Sequence, residues 1–188
     1  MTTIQNQVTK IVFLDIDGVL NSTDSVHVSL GPTEATSEKV RQLGCVGMVA
    51  SFALKHADPV SIALFNRLLD ETGAGLVLSS SHRMNFSELG YGSVEHLQKL
   101  RNFLNAMGVN VPEFFCITPR AHAIRGKQIE LWLAAFDGEV SYVILDDGRD
   151  FNENQPLVWC DPKYGFTFEE YREASNILGT NVSSILLA

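Results

Sequence analysis

Short, continuously apolar runs alternate along this chain with longer segments whose apolar residues recur at helical spacing. Strands that are covered on both faces are apolar throughout, and their alternation with helices is typical of a parallel sheet with helices on both sides. The sequence therefore predicts an α/β protein built on a doubly wound, Rossmann-like parallel sheet of about five strands. The predicted strands are residues 10–14, 75–78, 113–117, 141–145 and 157–159.

Capping residues mark where several helices begin and end. Asp58 followed by Pro59 is typical of a helix start, and Gly73 of a helix end. Thr167 with Glu170 three residues later forms a capping box. The apolar stripes expected to face the core are Val60, Ala63, Leu64, Leu68 and Leu69 in one helix and Val94, Leu97, Leu100, Leu104 and Met107 in the next.

A length of 188 residues suits a single domain over residues 1–188. Residues 21–57 fit the alternation less well, because they are rich first in serine and threonine and then in glycine and small apolar side chains. We predict a flap or small insertion there, with a short helix near residues 37–43. The segment is too short to form a large cap domain.

Composition limits the partners and the compartment. The net charge of −8 argues against a broad nucleic-acid footprint, but residues 83–127 carry six basic and three acidic residues. This segment either focuses anionic substrates or is a solvated helix face. Three cysteines without a C-x-x-C pair indicate neither a disulfide framework nor a zinc site. With no signal peptide and no membrane span in the sequence, we expect a cytoplasmic protein.

Chemically reactive side chains follow the predicted strands, at the end where parallel sheets bind ligands. Clustered carboxylates repel one another unless a cation neutralises them. Mg²⁺ suits a site with few protein ligands, several waters and a phosphate, whose oxygens serine and basic side chains can bind. The residues concerned are Asp15 and Asp17, Ser79 to Ser81, Arg125 and Lys127 at a helix start, and the pair Asp146 and Asp147.

This constellation resembles the haloacid dehalogenase (HAD) superfamily of phosphotransferases. The resemblance rests on FLDIDGVLN at 13–21, LSSSHR at 78–83, RGKQIELWL at 125–133 and YVILDDGRD at 142–150. More narrowly, the chain resembles the HAD domains of "Swiss army knife" RNA-repair proteins and, more loosely, the phosphatase domain of polynucleotide kinase-phosphatases. The usual SSSWR form has tryptophan at the position of His82.

The resemblance implies a role for each acidic residue. Asp15 would be the nucleophile that forms an aspartyl-phosphate, and Asp17 would protonate the leaving oxygen and then activate water. Both would contact Mg²⁺, Asp17 through its backbone carbonyl. Asp147 would be the direct metal ligand while Asp146 orients a metal-bound water or a lysine, although the reverse assignment stays open.

It also implies the groups that bind phosphate. Ser79 is the favoured hydroxyl and Ser80 the alternative, and Arg83 would add a second phosphate contact. Lys127 is preferred over Arg125 as the cation that neutralises the phosphoryl group.

Several functions compete. The leading prediction is a Mg²⁺-dependent phosphomonoester hydrolase, acting on the terminal phosphates of RNA or DNA or on nucleotides. A phosphoprotein phosphatase of the same fold is an alternative, as are a catalytically silent HAD-like module and a receiver-type signalling module. In a receiver the acidic pair follows the first strand and the lysine the last, which is not the order here. A protein partner that supplies affinity for nucleic acid is compatible with the sequence but not indicated by it.

Overall fold

The computed structural model describes residues 9–28, 38, 42–43 and 48–179. Two short 3₁₀ helices, Ser81–Met84 and Ser87–Leu89, follow the second strand. The strands are β1 (Thr9–Leu14), β2 (Gly75–Leu78), β3 (Phe115–Ile117), β4 (Val140–Asp146) and β5 (Leu157–Trp159). The described helices are α1 (Thr23–Val28), α2 (Met48–His56), α3 (Pro59–Thr72), α4 (Val94–Met107), α5 (Arg125–Ala135) and α6 (Phe168–Ile177).

The five strands form one parallel sheet in the order β3-β2-β1-β4-β5. At their carboxyl ends, Leu14 of β1 is in register with Leu78 of β2 and Leu145 of β4. The strand order reverses at β1, which lies between β2 and β4. Ligands of open α/β sheets bind at this switch point, beyond the carboxyl ends of the strands. The predicted Rossmann-like sheet of five strands is confirmed.

Helices cover both faces of the sheet. Val12 and Leu14 of β1 belong to the larger apolar core, which includes Phe65 of α3. Ile11 and Phe13 point to the opposite face and pack in a second core with Trp132 of α5, as successive residues of a strand must. The central strand is therefore buried from both sides, and this explains its uninterrupted apolar sequence.

The two ends of the segment 21–57 lie close together beside the sheet. The N–H of Asp58 donates to the carbonyl of Leu20 at 2.8 Å, and the Ser25 hydroxyl donates to the carbonyl of His56 at 3.1 Å. Helices α1 and α2 lie within this segment. The helix predicted near residues 37–43 falls almost entirely outside the described residues, and the flap stays a prediction. Among the described residues, no helix is long and apolar enough to cross a membrane.

The predicted helical stripes are partly wrong. In α3 the buried apolar residues are Ile62, Phe65, Leu68 and Leu69, whereas Val60 is 65% exposed. In α4 Val94 is 87% exposed. Each valine stands two positions before a buried residue, Ile62 or His96, and therefore lies about 200° around the helix from it. Ala63 is exposed as well, so the stripe predicted for α3 was displaced from the face that packs on the core.

The corrected orientation of α3 predicts very different costs for two truncations on the same helix. Ile62→Ala should lower the free energy of unfolding by about 2–4 kcal/mol, because it leaves a cavity in the core. Val60→Ala should change it by less than about 0.5 kcal/mol, because the side chain is largely solvated. Urea unfolding of both variants measures the difference, and equal losses would contradict the assigned orientation.

Candidate active site

Three carboxylates meet at the switch point of the sheet. Asp15 follows β1, Asp146 ends β4 and Asp147 comes next in the chain. Each offers an oxygen to a group whose ligand atoms all lie within 4.8 Å of one another. Asp15 and Asp146 are buried, and Asp147 is half-buried. The sheet thus brings together residues that are more than 130 positions apart, as the carboxyl ends of adjacent parallel strands require.

Arg125, the first residue of α5, bridges two of these carboxylates. Its Nη1 donates to Oδ2 of Asp15 and, at 2.5 Å, to Oδ2 of Asp146. The other oxygens of the two carboxylates accept backbone N–H groups, from Ile16 at 2.7 Å and from Gly148 at 2.8 Å respectively. These bonds fix Asp15 and Asp146 in position. The side chain of Asp147 accepts no hydrogen bond from another of the described residues.

The electrostatics of the cluster favour a bound cation. Burial and the nearby charge of Asp15 raise the pKa of Asp146 to about 6 and also raise the pKa of Asp147. Burial alone would lower the pKa of Arg125, but the charges of Asp15 and Asp146 outweigh burial and raise it. One guanidinium therefore faces three carboxylates, and a divalent cation would relieve the remaining repulsion. The oxygen-only donor set fits such a metal.

Gly18 allows the first loop to lie against Asp147. Its φ is +75°, in the left-handed region that favours glycine. A Cβ on this residue would come within 2.5 Å of Oδ2 of Asp147. Any larger residue would therefore push the least constrained carboxylate of the cluster out of place.

Asp17 lies beside the cluster, with its side chain 48% exposed. Its carboxylate accepts the Asn21 amide at 2.9 Å and approaches Nε2 of His82 at 3.1 Å. Because Nδ1 of His82 faces the amide of Asn85 at 3.2 Å, the network assigns the ring proton to Nε2, which donates to Asp17. Burial would raise the pKa of Asp17, but the bonds to His82 and Asn21 lower it overall. Tryptophan, usual at position 82, also carries a ring N–H donor.

The serines after β2 differ in their surroundings. The Ser80 hydroxyl accepts the N–H of His82 at 3.3 Å and so caps the first 3₁₀ helix. The Ser79 hydroxyl is buried and has no hydrogen-bond partner among the described residues. Buried polar groups nearly always have a hydrogen-bond partner, and a bound ligand would supply the one that the Ser79 hydroxyl lacks.

The guanidinium of Arg83 holds the serine loop after β2 in place. Its Nη1 donates to the carbonyls of Ser79 and Ser80, both at 2.7 Å. Its Nη2 donates to Gln128 of α5 at 2.6 Å, and its Nε to the hydroxyl of Tyr91 at 3.1 Å. The direct phosphate contact predicted for Arg83 is therefore not the geometry observed: the residue is 7% exposed, and its guanidinium positions the serine loop against α5.

The structure does not bring Lys127 to the carboxylates. Its Nζ pairs with Glu130 at 2.8 Å on the exposed face of α5, and Arg125 occupies the place that the sequence analysis preferred for Lys127. Residues two apart on a helix point in nearly opposite directions, so both cannot reach the same site. Oδ2 of Asp150 accepts the N–H of Arg125 at 2.9 Å, a contact that helps to hold the first residue of α5 beside the carboxylates.

Sequence reasoning missed the supporting residues Asn21 and Gln128 and gave His82 no defined role. Asn21 was visible as the last residue of DIDGVLN, and its Oδ1 accepts the N–H of Gly18 at 2.9 Å. Gln128 stands three residues after Arg125, the spacing that places two side chains on one helix face. His82 could not have been paired with Asp17 from the sequence, because the two are 65 residues apart.

A parallel sheet in the order 3-2-1-4-5, with an aspartate-rich loop after β1 and an acidic pair after β4, defines a phosphatase-type hydrolase fold of the haloacid dehalogenase superfamily. The model of the family described as the HAD domain in Swiss Army Knife RNA repair proteins matches residues 11–171, and the chain belongs to that family. A search of curated proteins and a search of solved structures gave no match.

The raised pKa of Asp146 predicts how a divalent cation should affect stability. In metal-free protein the folded state holds a proton on Asp146 between about pH 4 and 6 that the unfolded chain has lost, so stability should fall as the pH rises through that interval. A cation opposes this loss once the carboxylates are ionised. With Mg²⁺ as the probe, the rise in Tm should be larger at pH 7.5 than at pH 5.

Differential scanning fluorimetry with Mg²⁺ or EDTA measures this effect. Asp147→Asn keeps the size of the side chain but removes its charge, and it should abolish most of the Mg²⁺-dependent shift at pH 7.5. A shift of the same size at both pH values, or one that survives Asp147→Asn, would mean that the metal binds elsewhere.

Proposed function

We propose that this protein is a Mg²⁺-dependent phosphomonoester hydrolase that acts through an aspartyl-phosphate on nucleic-acid terminal phosphates or nucleotides. The observation that carries the proposal is the position of Asp15: a buried carboxylate, held by the Ile16 N–H and Arg125, at the edge of a three-carboxylate cluster. The description of the matching family as RNA-repair domains supports the choice of nucleic acid as the substrate class.

The first step forms a bond between a carboxylate oxygen of Asp15 and phosphorus, and breaks the bond between phosphorus and the ester oxygen. The departing oxygen takes a proton from Asp17. In the second step Asp17 accepts a proton from water, whose oxygen attacks phosphorus and releases inorganic phosphate and the Asp15 carboxylate. Asp17 therefore has to gain and lose one proton in each cycle.

The environment of Asp17 suits this exchange. In the free protein its hydrogen bonds with His82 and Asn21 lower its pKa, so the carboxylate form is favoured, as a base needs. A phosphate dianion beside it raises the pKa of a carboxyl group by charge repulsion, which favours the protonated form when substrate binds. His82 acts in this scheme as a positioning residue for Asp17.

Arg125 and Ser79 hold the phosphoryl group in this proposal. Arg125 keeps the charge of Asp15 and Asp146 balanced and offers donors where negative charge develops. The unpartnered hydroxyl of Ser79 donates to a phosphate oxygen. Asp15, Asp147 and the backbone carbonyl of Asp17 would hold Mg²⁺, and Asp146 would orient a water beside it; the ion would supply neutralisation of charge on the transferring group.

The other candidate functions have less support. Response-regulator receivers have the flavodoxin-like strand order 2-1-3-4-5, which differs from the order of this sheet. A silent module would bind phosphate at the same residues without turnover, so the hydrolysis assay below separates it from the proposed function. A phosphoprotein phosphatase would use the same site, and only the substrate separates it from the proposed function.

Asp15→Asn should abolish hydrolysis of p-nitrophenyl phosphate in the presence of Mg²⁺. The amide still accepts the Ile16 N–H but is a poor nucleophile, so turnover should fall by about 10³-fold or more. Release of p-nitrophenolate measures the rate, and circular dichroism checks the fold. A variant that retains more than about a tenth of the wild-type turnover would rule out the covalent mechanism.

Arg125→Ala and Lys127→Ala separate the two candidate cations. Arg125→Ala should lower kcat and kcat/KM together by about 10²-fold or more, because the charge acts on the reacting group. Lys127→Ala should change either constant by less than about threefold, because an exposed ion pair contributes little. The opposite pattern would restore the role that the sequence analysis preferred for Lys127.

A further inference from the structure

A cavity of about 590 Å³ opens beside the active site and shares Arg125 with it. Its wall comes from the 3₁₀ helix after β2, from the segment that precedes α5, and from the first turns of α5. The side chains with polar groups in this wall are Ser81, Arg83, Arg120, His122, Arg125 and Gln128. We refer to this cavity as the basic pocket.

The charge of the basic pocket is positive. Three guanidinium groups line it, and none of the described residues that line it is acidic. Arg125 is neutralised by Asp15 and Asp146. Among the described residues, Arg83 is bonded to neutral oxygens, those of Ser79, Ser80, Gln128 and Tyr91, and has no carboxylate partner.

Arg120 carries the other uncompensated charge. The residue is exposed, and within the described part of the chain its guanidinium has no hydrogen-bond or ion-pair partner. In a protein with a net charge of −8, a cavity with two unbalanced guanidinium groups is unusual. It would attract an anion, and guanidinium groups match the geometry of phosphate.

An apolar cavity adjoins the basic pocket. It has a volume of about 410 Å³ and shares Ala121 with the basic pocket, so the two lie side by side along the segment before α5. Leu97, Ile117, Leu131 and Trp132 are among its lining residues. An anion site beside an apolar site matches a nucleotide unit, in which a charged phosphate adjoins a base with apolar faces.

We infer that the basic pocket binds the phosphodiester that adjoins the terminal phosphate of a nucleic-acid substrate, with Arg120 as its main direct contact. This inference rests on the proposed function, because Arg125 places the pocket next to the reacting phosphate. The protein would therefore act on the end of a nucleic-acid chain in preference to a single nucleotide. The phosphodiester contributes binding only and undergoes no bond change.

The test compares substrates with and without a charged second phosphate. They are p-nitrophenyl phosphate, a nucleoside monophosphate, a five-nucleotide RNA with the same terminal phosphate, and that RNA with a neutral methylphosphonate at the adjoining linkage. For wild-type protein, kcat/KM for the RNA should exceed that for the nucleoside monophosphate by about tenfold or more, as a charge-assisted contact allows. The methylphosphonate should remove this advantage.

Arg120→Ala should act in the same way as the neutral linkage. It should lower kcat/KM for the RNA by about tenfold, mainly through KM, and leave p-nitrophenyl phosphate within about twofold. The slope of log(kcat/KM) against log salt concentration should become less negative by about 0.7, because one phosphate contact is lost. Arg172→Ala is the matched control: it removes one exposed charge from α6, far along the chain, and should leave both substrates unchanged.

Four results would overturn the inference. Equal kcat/KM for the RNA and the nucleoside monophosphate would do so, as would an equal loss on all substrates in Arg120→Ala. A nucleoside bisphosphate that performs as well as the RNA would assign the pocket to a small bisphosphate. A phosphopeptide that alone responds to Arg120→Ala would assign it to a phosphoprotein.

Binding gives a readout that does not depend on turnover. Fluorescence anisotropy of the labelled RNA with Asp15→Asn protein should show affinity that Arg120→Ala in the same background weakens by about tenfold. Failure of the proposed function would appear as inactivity toward every phosphomonoester with this binding intact. Failure of the inference would appear as activity toward p-nitrophenyl phosphate with no effect of Arg120 on either measurement.

Discussion

Arg125 neutralises two buried carboxylates at the point where the strand order of the sheet reverses. Asp15 and Asp146 are brought together because β1 and β4 are adjacent and end at the same level. Two such charges out of water would repel each other strongly unless a cation lay between them. The guanidinium of Arg125 at the start of α5 is that cation. The surrounding loops contact the first turn of α5 and hold it beside the two carboxylates.

The loops around α5 hold its first turn in position. Asp150 accepts the N–H of Arg125, and the Gln155 amide donates to the carbonyl of Gly126 at 2.9 Å. A Cβ on Gly126 would come within 2.5 Å of Oε1 of Gln155, so glycine allows the loop after β4 to pack directly on the helix. On the other side, Arg83 ties the serine loop to Gln128. The serine hydroxyls and the guanidinium of Arg125 are thereby held in a fixed relation.

Charge is distributed unevenly in this protein. The chain as a whole is acidic, and three carboxylates cluster at the switch point of the sheet, yet the adjoining cavity is lined by arginines and by no acidic described residue. An anionic substrate needs this arrangement, since the carboxylates repel phosphate and the neighbouring positive charge must compensate. The basic segment visible in the sequence at residues 83–127 contributes the arginines of this wall.

The sequence alone determined the layer architecture, because short uninterrupted apolar runs that alternate with helices are typical of strands covered on both faces. It also determined which residues meet at the edge of the sheet, since residues that follow parallel strands converge there; Asp15, Asp146 and Asp147 are the result. Which of Arg125 and Lys127 reaches the carboxylates depended on the orientation of α5, whose first N–H is bound by Asp150. The role of Arg83 depended on bonds to Tyr91 and Gln128. Only the tertiary structure brings such distant residues together, because their contacts depend on how loops pack and not on local periodicity.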